Sequence, residues 1–392
     1  MPETPVYLDH AATTPVRPEV LEAMLPYLGR TAFGNPSSAH RFGRQARAGV
    51  ERARRQVADA LGADPREVVF TSGGTEADNL AILGTAHAAA ARGEAMRVAV
   101  SAIEHKAVLA AAHEVERLGG SCDLVPAGRD GVVDLDGLDR ALEQRPAMVS
   151  IMWVNNETGV IQPIEQVADC CRARDVWFHT DAVQAIGKLP VALAGFSSIL
   201  LTLSGHKLGA PKGVGALIVR GQPDIHPLIH GGGQQSGIRP GTENVVGIVG
   251  LGSAVALAVT EQAAEASRIE KLRDQLEARL RASTPDLVIL AQAGPRAPHI
   301  LQVAVPSTDS EAMLMHLDLA GVAVSSGSAC TTGSVEPSHV LSAMGVPTPL
   351  ARAAIRFSFG HESTDDDVAR AAAVFPGCVG KVRRLARVLG HA

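Results

Sequence analysis

From about residue 66 to residue 219 the chain alternates short apolar, β-branched runs with segments of helical spacing, and nothing else in it constrains the fold as tightly. Runs at 68–70, 97–101, 148–154, 176–180, 199–203 and 216–219 read as strands. Helical patterns starting near Glu76, at Lys106 and over 164–174 fall between them. A helix joining two strands brings the second back parallel to the first, with helices covering both faces. The chain is therefore expected to be α/β, with a mainly parallel sheet. Only 3% of residues are aromatic, so the core must be built from Ala, Val, Leu and Ile.

At 392 residues the chain suits two domains better than one. A long helical stretch over 246–282 bridges out of the sheet region. Beyond it, runs at 299–305, 322–324 and 355–359, a helix from Ser310 and another from about Thr364 predict a smaller α+β unit. The most apolar stretch, 245–259, contains Gly and Ser and falls short of the roughly 20 residues a bilayer requires, so a buried helix is expected. A net charge of −5 with no basic tract gives no reason to expect nucleic acid or a membrane as partner. MPETPVYLDH lacks a basic segment followed by an apolar one, so the expected location is cytoplasmic. The five cysteines form neither a CxxC pair nor a zinc spacing, which predicts free thiols and no resident metal. Cys122, Cys170 and Cys171 sit in packing contexts, whereas Cys330 lies in SSGSACTTGS, a run too polar for a core.

The chemistry gathers where strands are expected to stop, which is where open α/β sheets bind ligands. HTDAVQ carries Asp181 and Gln184, and LTLSGHK carries Ser204, His206 and Lys207. Singly, Asp181 fits a helix cap and Lys207 a solvated lysine. Jointly, an acid able to pair with a heteroaromatic nitrogen and a lysine able to form a Schiff base meet the two needs of pyridoxal phosphate (PLP). VVFTSGGTEADNL ends a strand in a Gly73-Gly74 turn and starts a helix at Thr75, a place where free N–H groups hold a phosphate, although such turns are also common caps. His105 in SAIEHKAV can stack on a flat ring and move protons, or simply cap a helix. Asn156 in WVNNETG can bond a ring oxygen or a carboxylate, or shape a turn. Arg356, in the strand-like AIRFSFG, needs a carboxylate partner, from a ligand or from the protein. HGGGQQSGIRPGTEN is a long loop whose Arg239 and Thr242 can meet an anion.

In this order, YLDHAATTPV, TSGGTEADNL, EHKAV, VNNETG, HTDAVQ, SGHKLGAPKG, GGGQQSGIRPGTEN, SSGSACTTG and IRFSFG resemble the cysteine desulfurases across essentially the whole chain. The longer segment SSGSACTTGSVEPSHVL resembles their group I, which serves iron–sulfur cluster assembly and nitrogen fixation. The resemblance implies the PLP-dependent transferase (aspartate-aminotransferase-like) fold. It further implies a large PLP-binding domain over 19–261 and a small domain from 1–18 and 262–392 that carries the cysteine loop. Lys207 becomes the Schiff-base lysine, Asp181 the pyridine partner, and His105 the stacking acid/base. Asn156 and Gln184 become ring contacts, with Gly74, Thr75, Ser204 and His206 at the phosphate. Thr242 would reach the phosphate from the other subunit of a homodimer. Arg356, with Asn156, would take the carboxylate of L-cysteine. Cys330 would accept the sulfur as a persulfide, pass it to acceptor proteins such as an iron–sulfur scaffold or a tRNA-thiolation relay, and transiently ligate a cluster. His10, Ala210 and Gln235-Ser236 depart from the usual family residues. Another PLP enzyme of this fold would share Lys207 and Asp181 without needing Cys330. A binding-only protein would be expected to have lost one of those two.

Overall fold

The computed structural model describes residues 5–327 and 337–388, so Cys330 lies outside the described residues. Strand β1 (Val6–Tyr7) precedes two helices, α1 (Pro18–Leu28) and α2 (Arg41–Leu61). The sheet region then runs β2 (Val68–Thr71), α3 (Gly74–Ala91), β3 (Arg97–Ser101), α4 (Lys106–Arg117), β4 (Ser121–Val125), α5 (Leu135–Glu143) and β5 (Met148–Ser150). It continues with α6 (Ile164–Arg172), β6 (Trp177–Asp181), β7 (Ile199–Ser204) and β8 (Gly215–Arg220).

These strands form one seven-stranded sheet in the order β2-β8-β7-β6-β5-β3-β4. Pairing is parallel throughout β4, β3, β5, β6 and β7, while β8 runs antiparallel to both β7 and β2. The reversal has a local cause. Only a short turn region separates β7 from β8, too little for a crossover helix, so the chain must fold straight back. Because β2 lies on the far side of β8, it again points the same way as β7. The carboxyl ends of six strands therefore share one edge of the sheet.

Alternation along the strands builds two cores, as a period of two requires. Ile199, Leu201 and Leu203 face a core closed by α2, α5, α6 and the first half of α7 (Val245–Ser283). Leu200, Leu217, Val98 and Val100 face the opposite core, closed by α3 and α4. The run at 148–154 leaves the ladder after Ser150, yet Ile151 and Trp153 still donate N–H bonds to His179 and Asp181 of β6. By length and composition α7 could cross a membrane. Its Ile248, Leu251, Ala254 and Val255 are instead buried in the sheet core, and its second half carries Arg268, Glu270, Lys271 and Arg273.

After α7 come β9 (Val288–Ile289), β10 (Ile300–Ala304), α8 (Ser310–Leu319) and β11 (Val322–Ala323). Helices α9 (His339–Ala343) and α10 (Thr348–Arg352) lead to β12 (Ala354–Ser358) and α11 (Asp365–Val388). β12, β10 and β9 form an antiparallel three-stranded sheet, and β11 pairs parallel with β1. A separate apolar core joins Val6 and Leu8 to Leu272, Leu301, Phe357 and Phe375. The amino terminus is thus built into structure made by the last third of the chain.

Candidate active site

The shared sheet edge carries the chemistry. At the end of β2 the chain turns through Gly73 into α3, whose first N–H groups have no partners inside the helix. Gly74 starts that helix hard against the ends of β6 and β7, where an added Cβ would stand 3.1 Å from Val183 Cγ2 and 3.5 Å from Ser204 Cβ. Behind the turn, a Cβ on Gly215 would come within 2.7 Å of the Gly73 carbonyl carbon, so only glycine lets β8 pass there. The Glu76 carboxylate accepts from Ser72 N at 2.7 Å and from Arg239 Nε at 2.7 Å, which ties the long loop to this helix start.

Nine of the residues marked in the sequence line one cavity of about 210 Å³. Gly74 and Thr75 come from the α3 turn; His105 and Asn156 follow β3 and β5; Asp181 ends β6 and Gln184 follows it; Ser204 ends β7, with His206 and Lys207 just beyond. Gly74, Thr75, Ser204 and His206 also line an adjoining opening of about 490 Å³, with Lys212 on its wall. Lys207 Nζ donates to the carbonyls of Ala11 at 2.6 Å and Ala12 at 2.5 Å. Burial, with the Arg356 charge in support, lowers the Lys207 amine to about 8, so about a tenth is the free nucleophile at pH 7, far more than an ordinary lysine offers.

Asp181 ends β6 buried, and its Oδ1 accepts from Val183 N at 2.9 Å, which fixes the carboxyl plane. Burial pushes its pKa up, opposed by the His105 and Lys207 charges. His105 caps α4, and its Nδ1 accepts from Ala107 N at 3.2 Å. The ring proton therefore sits on Nε2, and desolvation holds the pKa below the ordinary imidazole value. Gln184 Nε2 donates to Ala11 O at 2.9 Å, and its Oε1 accepts from His299 Nε2 at 3.1 Å. His299 thereby sets which way the Gln184 amide faces.

Two expected residues stand apart from this cavity, and a third lies outside the described residues. Arg356 is buried on β12; its Nη1 donates to Asn156 O at 2.7 Å and its Nη2 to Asp9 Oδ1 at 2.8 Å. It already has a protein carboxylate, and only Nε lacks a partner. Thr242 lines a different cavity, with Arg239, Gln235 and Phe70. In that loop Gln235 Oε1 accepts from Phe70 N at 3.0 Å, so this departure from the family pattern pins the loop to β2. Cys330 lies outside the described residues.

Comparison with known proteins shows what this arrangement belongs to. Residues 6–371 match the family described as aminotransferase class-V. The chain belongs to that family. It is 45% identical over 380 residues to the cysteine desulfurase IscS of Dictyoglomus turgidum, covering 97% of this chain and 96% of that one. With the cysteine desulfurase of Gluconacetobacter diazotrophicus the identity is 47% over 382 residues, covering 97% and 94%. Among solved structures, a NifS-like protein superposes with a TM-score of 0.89 at 36% identity, covering 96% of this chain and 100% of that one.

The family is PLP-dependent, and the residues present fit that cofactor. A flat heteroaromatic cation needs a buried acid, here Asp181, and a phosphate needs free N–H groups, here at the α3 start. An aldehyde needs an unprotonated amine, which Lys207 offers. The cavity wall also holds a buried carboxyl oxygen without a hydrogen-bond partner, Asp78 Oδ1, a polar atom that suits a site built for a polar group. The sequence reading passed over Asp78, Glu104, His179 and the Ala11–Ala12 carbonyls. One signal for Asp78 was available: in TEADN it stands three residues after Thr75, on the same helix face.

Proposed function

We propose that this protein is a PLP-dependent cysteine desulfurase that converts L-cysteine to L-alanine and carries the sulfur as a persulfide on Cys330. The observation that bears most weight is Lys207 facing Asp181 across one cavity in a chain this similar to cysteine desulfurases. PLP bound here supplies an electron sink that loosens the bonds at the amino acid's Cα and, through it, at Cβ.

The protein's own groups do the rest. Lys207 would hold the cofactor's aldehyde end, and as a free amine it would take the Cα proton of the substrate. His105 lines the same cavity with its Nδ1 engaged, which leaves Nε2–H to return a proton. Asp181 stabilises positive charge at the ring nitrogen. Arg356 binds the substrate carboxylate, with its Asn156 contact linking it to the cavity wall. The Cys330 thiolate attacks the substrate's sulfur; the S–S bond forms as the C–S bond breaks, and the bonding pair goes to carbon, which is then protonated. The persulfide next passes to an acceptor protein, with iron–sulfur scaffolds the class we favour.

A homodimer suits the surface. Helix α1 exposes Leu21, Leu25 and Leu28 at helical spacing, and exposed Phe33 stacks near Phe42 with ring centres 5.2 Å apart. In that dimer Thr242 serves the partner's phosphate site. The cysteines among the described residues are free thiols, in keeping with a reducing cytoplasm. The test is direct. Protein loaded with PLP should release alanine and sulfide in equal amounts from L-cysteine with a thiol present. Release of pyruvate or transfer of the amino group instead would point to another reaction of this family.

A further inference from the structure

Beneath the ring-nitrogen end of the cavity lies a second carboxyl that the reaction does not require. Asp78, on α3, is 1% exposed, yet it lines the cavity. One side-chain atom each from Asp78, His105 and Asp181 lie within 4.8 Å of one another. Asp78 Oδ1 accepts no hydrogen bond. Two carboxylates this close, both removed from water, cannot both be ionised at modest cost.

The surroundings decide which one keeps the proton. Asp181 receives the Val183 N–H and feels the His105 and Lys207 charges, all of which favour its ionised form. Asp78 has no comparable support. The nearest ring is His179 of β6, whose Nε2 stands 3.6 Å from Asp78 Oδ1, as an ion pair would. That ring is fully buried and held neutral, at about 3, by loss of solvent. Its two nitrogens are taken up by Ser150 Oγ at 2.8 Å and Thr202 Oγ1 at 3.0 Å. Thr202 on β7 also bonds Asp78, as a neutral hydroxyl. Of the remaining titratable neighbours, His105 is held below its ordinary value by desolvation, and Glu104 after β3 adds only another acid; it is fully buried and pushed up to about 8. Every charged influence on Asp78 from the packed elements is therefore negative or distant.

We propose that Asp78 is a positioning residue that stays protonated and so leaves Asp181 as the single ionised carboxylate at the ring-nitrogen end of the cofactor cavity. The proposal rests on the PLP reading above. Asp78 acts through Asp181: its hydroxyl can turn toward the carboxylate, and its neutrality keeps a second negative charge away from the ring.

A neutral acid has a close substitute in an amide, and the experiment uses this. Wild type, Asp78→Asn and Asp78→Ala are compared by equilibrium dialysis of PLP and by infrared spectroscopy of both stripped and loaded protein. Asp78→Asn should bind PLP within about threefold of wild type, whereas Asp78→Ala should bind about tenfold more weakly or worse. The wild-type minus Asp78→Asn infrared difference should show a protonated carboxyl band across neutral pH. The idea is overturned if Asn and Ala weaken PLP binding equally, if Ala binds as tightly as wild type, or if the difference shows only an ionised carboxylate. Should Asp78→Ala fail to fold, Asp78→Ser takes its place. If wild type itself takes up no PLP, the cofactor reading falls, and the infrared band in the stripped protein still decides whether Asp78 carries a proton.

Discussion

Lys207 Nζ lies 2.6 Å from the carbonyl oxygen of Ala11, a residue 196 positions earlier in the chain. The nucleophile of the cavity is held by backbone from the amino terminus rather than by a side-chain partner. A backbone carbonyl can hold the amine without an ion pair, so burial is free to lower its pKa to about 8.

The first prediction follows from that value. Coupling of PLP to stripped protein needs the unprotonated amine, so its rate should rise with pH and level off above about 8, well short of an ordinary lysine at 10.5. Lys207→Ala should abolish the borohydride-reducible linkage, and peptide mass mapping checks the site. A midpoint near 10 would show that the amine is not desolvated in solution.

Arg356 should matter for substrate more than for cofactor. Arg356→Lys loses the two-pronged donor set and should raise KM for L-cysteine by about tenfold or more, the size of one lost charge-assisted bond of roughly 1.5–3 kcal/mol. PLP content should be unchanged. Asp9→Asn is the control, because it frees Arg356 from its protein carboxylate while leaving the guanidinium in place. Steady-state kinetics of both variants separate a substrate role from a purely structural ion pair.

Cys330→Ser should keep PLP and still perturb its visible absorption when L-cysteine is added, since the cavity residues are untouched. Persulfide, measured by mass spectrometry of the intact protein, should vanish, because a hydroxyl cannot accept the sulfur.

Subunit sharing can be tested with two inactive proteins. Lys207→Ala and Thr242→Glu, the second placing a carboxylate against the phosphate, are mixed under conditions that allow exchange. If Thr242 serves its partner, one site of each mixed dimer carries both lesions and the other neither, so activity returns. If each chain uses its own Thr242, none returns.

Buried histidines set the acid limit of stability. His10 and His179 are held at about 4 and 3, below the ordinary 6.5, chiefly by burial. The unfolded chain takes up these protons below pH 6.5 and the fold does not, so stability falls as pH drops from 6.5 toward 4. Each ring adds up to about 1.4 kcal/mol per pH unit. Glu104 acts in the opposite sense. With its pKa raised from 4.5 to about 8, its contribution is full at low pH and lost as pH rises through 8. Urea midpoints across pH should therefore show a shallower acid slope for His10→Asn, and Glu104→Gln should gain on wild type between pH 4.5 and 8.

Much of the site could be read from the sequence because its parts are short motifs at strand ends, each with a residue type that announces its chemistry. Asp181, Gln184, Ser204, His206 and Lys207 are of this kind, and all five line the cavity. What could not be read falls into three physical classes. Ala11 and Ala12 contribute carbonyls, which every residue has, so their side chains say nothing. His179 hides inside an apolar strand, where its Ser150 and Thr202 partners come from neighbouring strands and not from its own. Arg356 required a carboxylate, but that Asp9 would supply one depends on the amino terminus crossing to β12. In the fold, the parallel sheet was legible from alternation, whereas α1 and α2 were not. The buried stripe of α2, Ala46, Val50, Ala53 and Val57, is thin and set among arginines, so its apolar signal is weak.

The pairing of β1 with β11 carries a consequence for biosynthesis. Val6 leaves the ribosome early but finds its partner, Val322, only after most of the chain has been made. The two carbonyls that hold Lys207 sit just beyond that strand, on a segment that Thr14 and Gln184 already tie to the sheet domain, so β1 is the part of this terminus left unpaired until residue 322 is made. Such contacts, distant along the chain, form last because closing a long loop is entropically costly. The amino terminus would then settle in two stages, first over the lysine on the sheet domain and last, through β1, against β11.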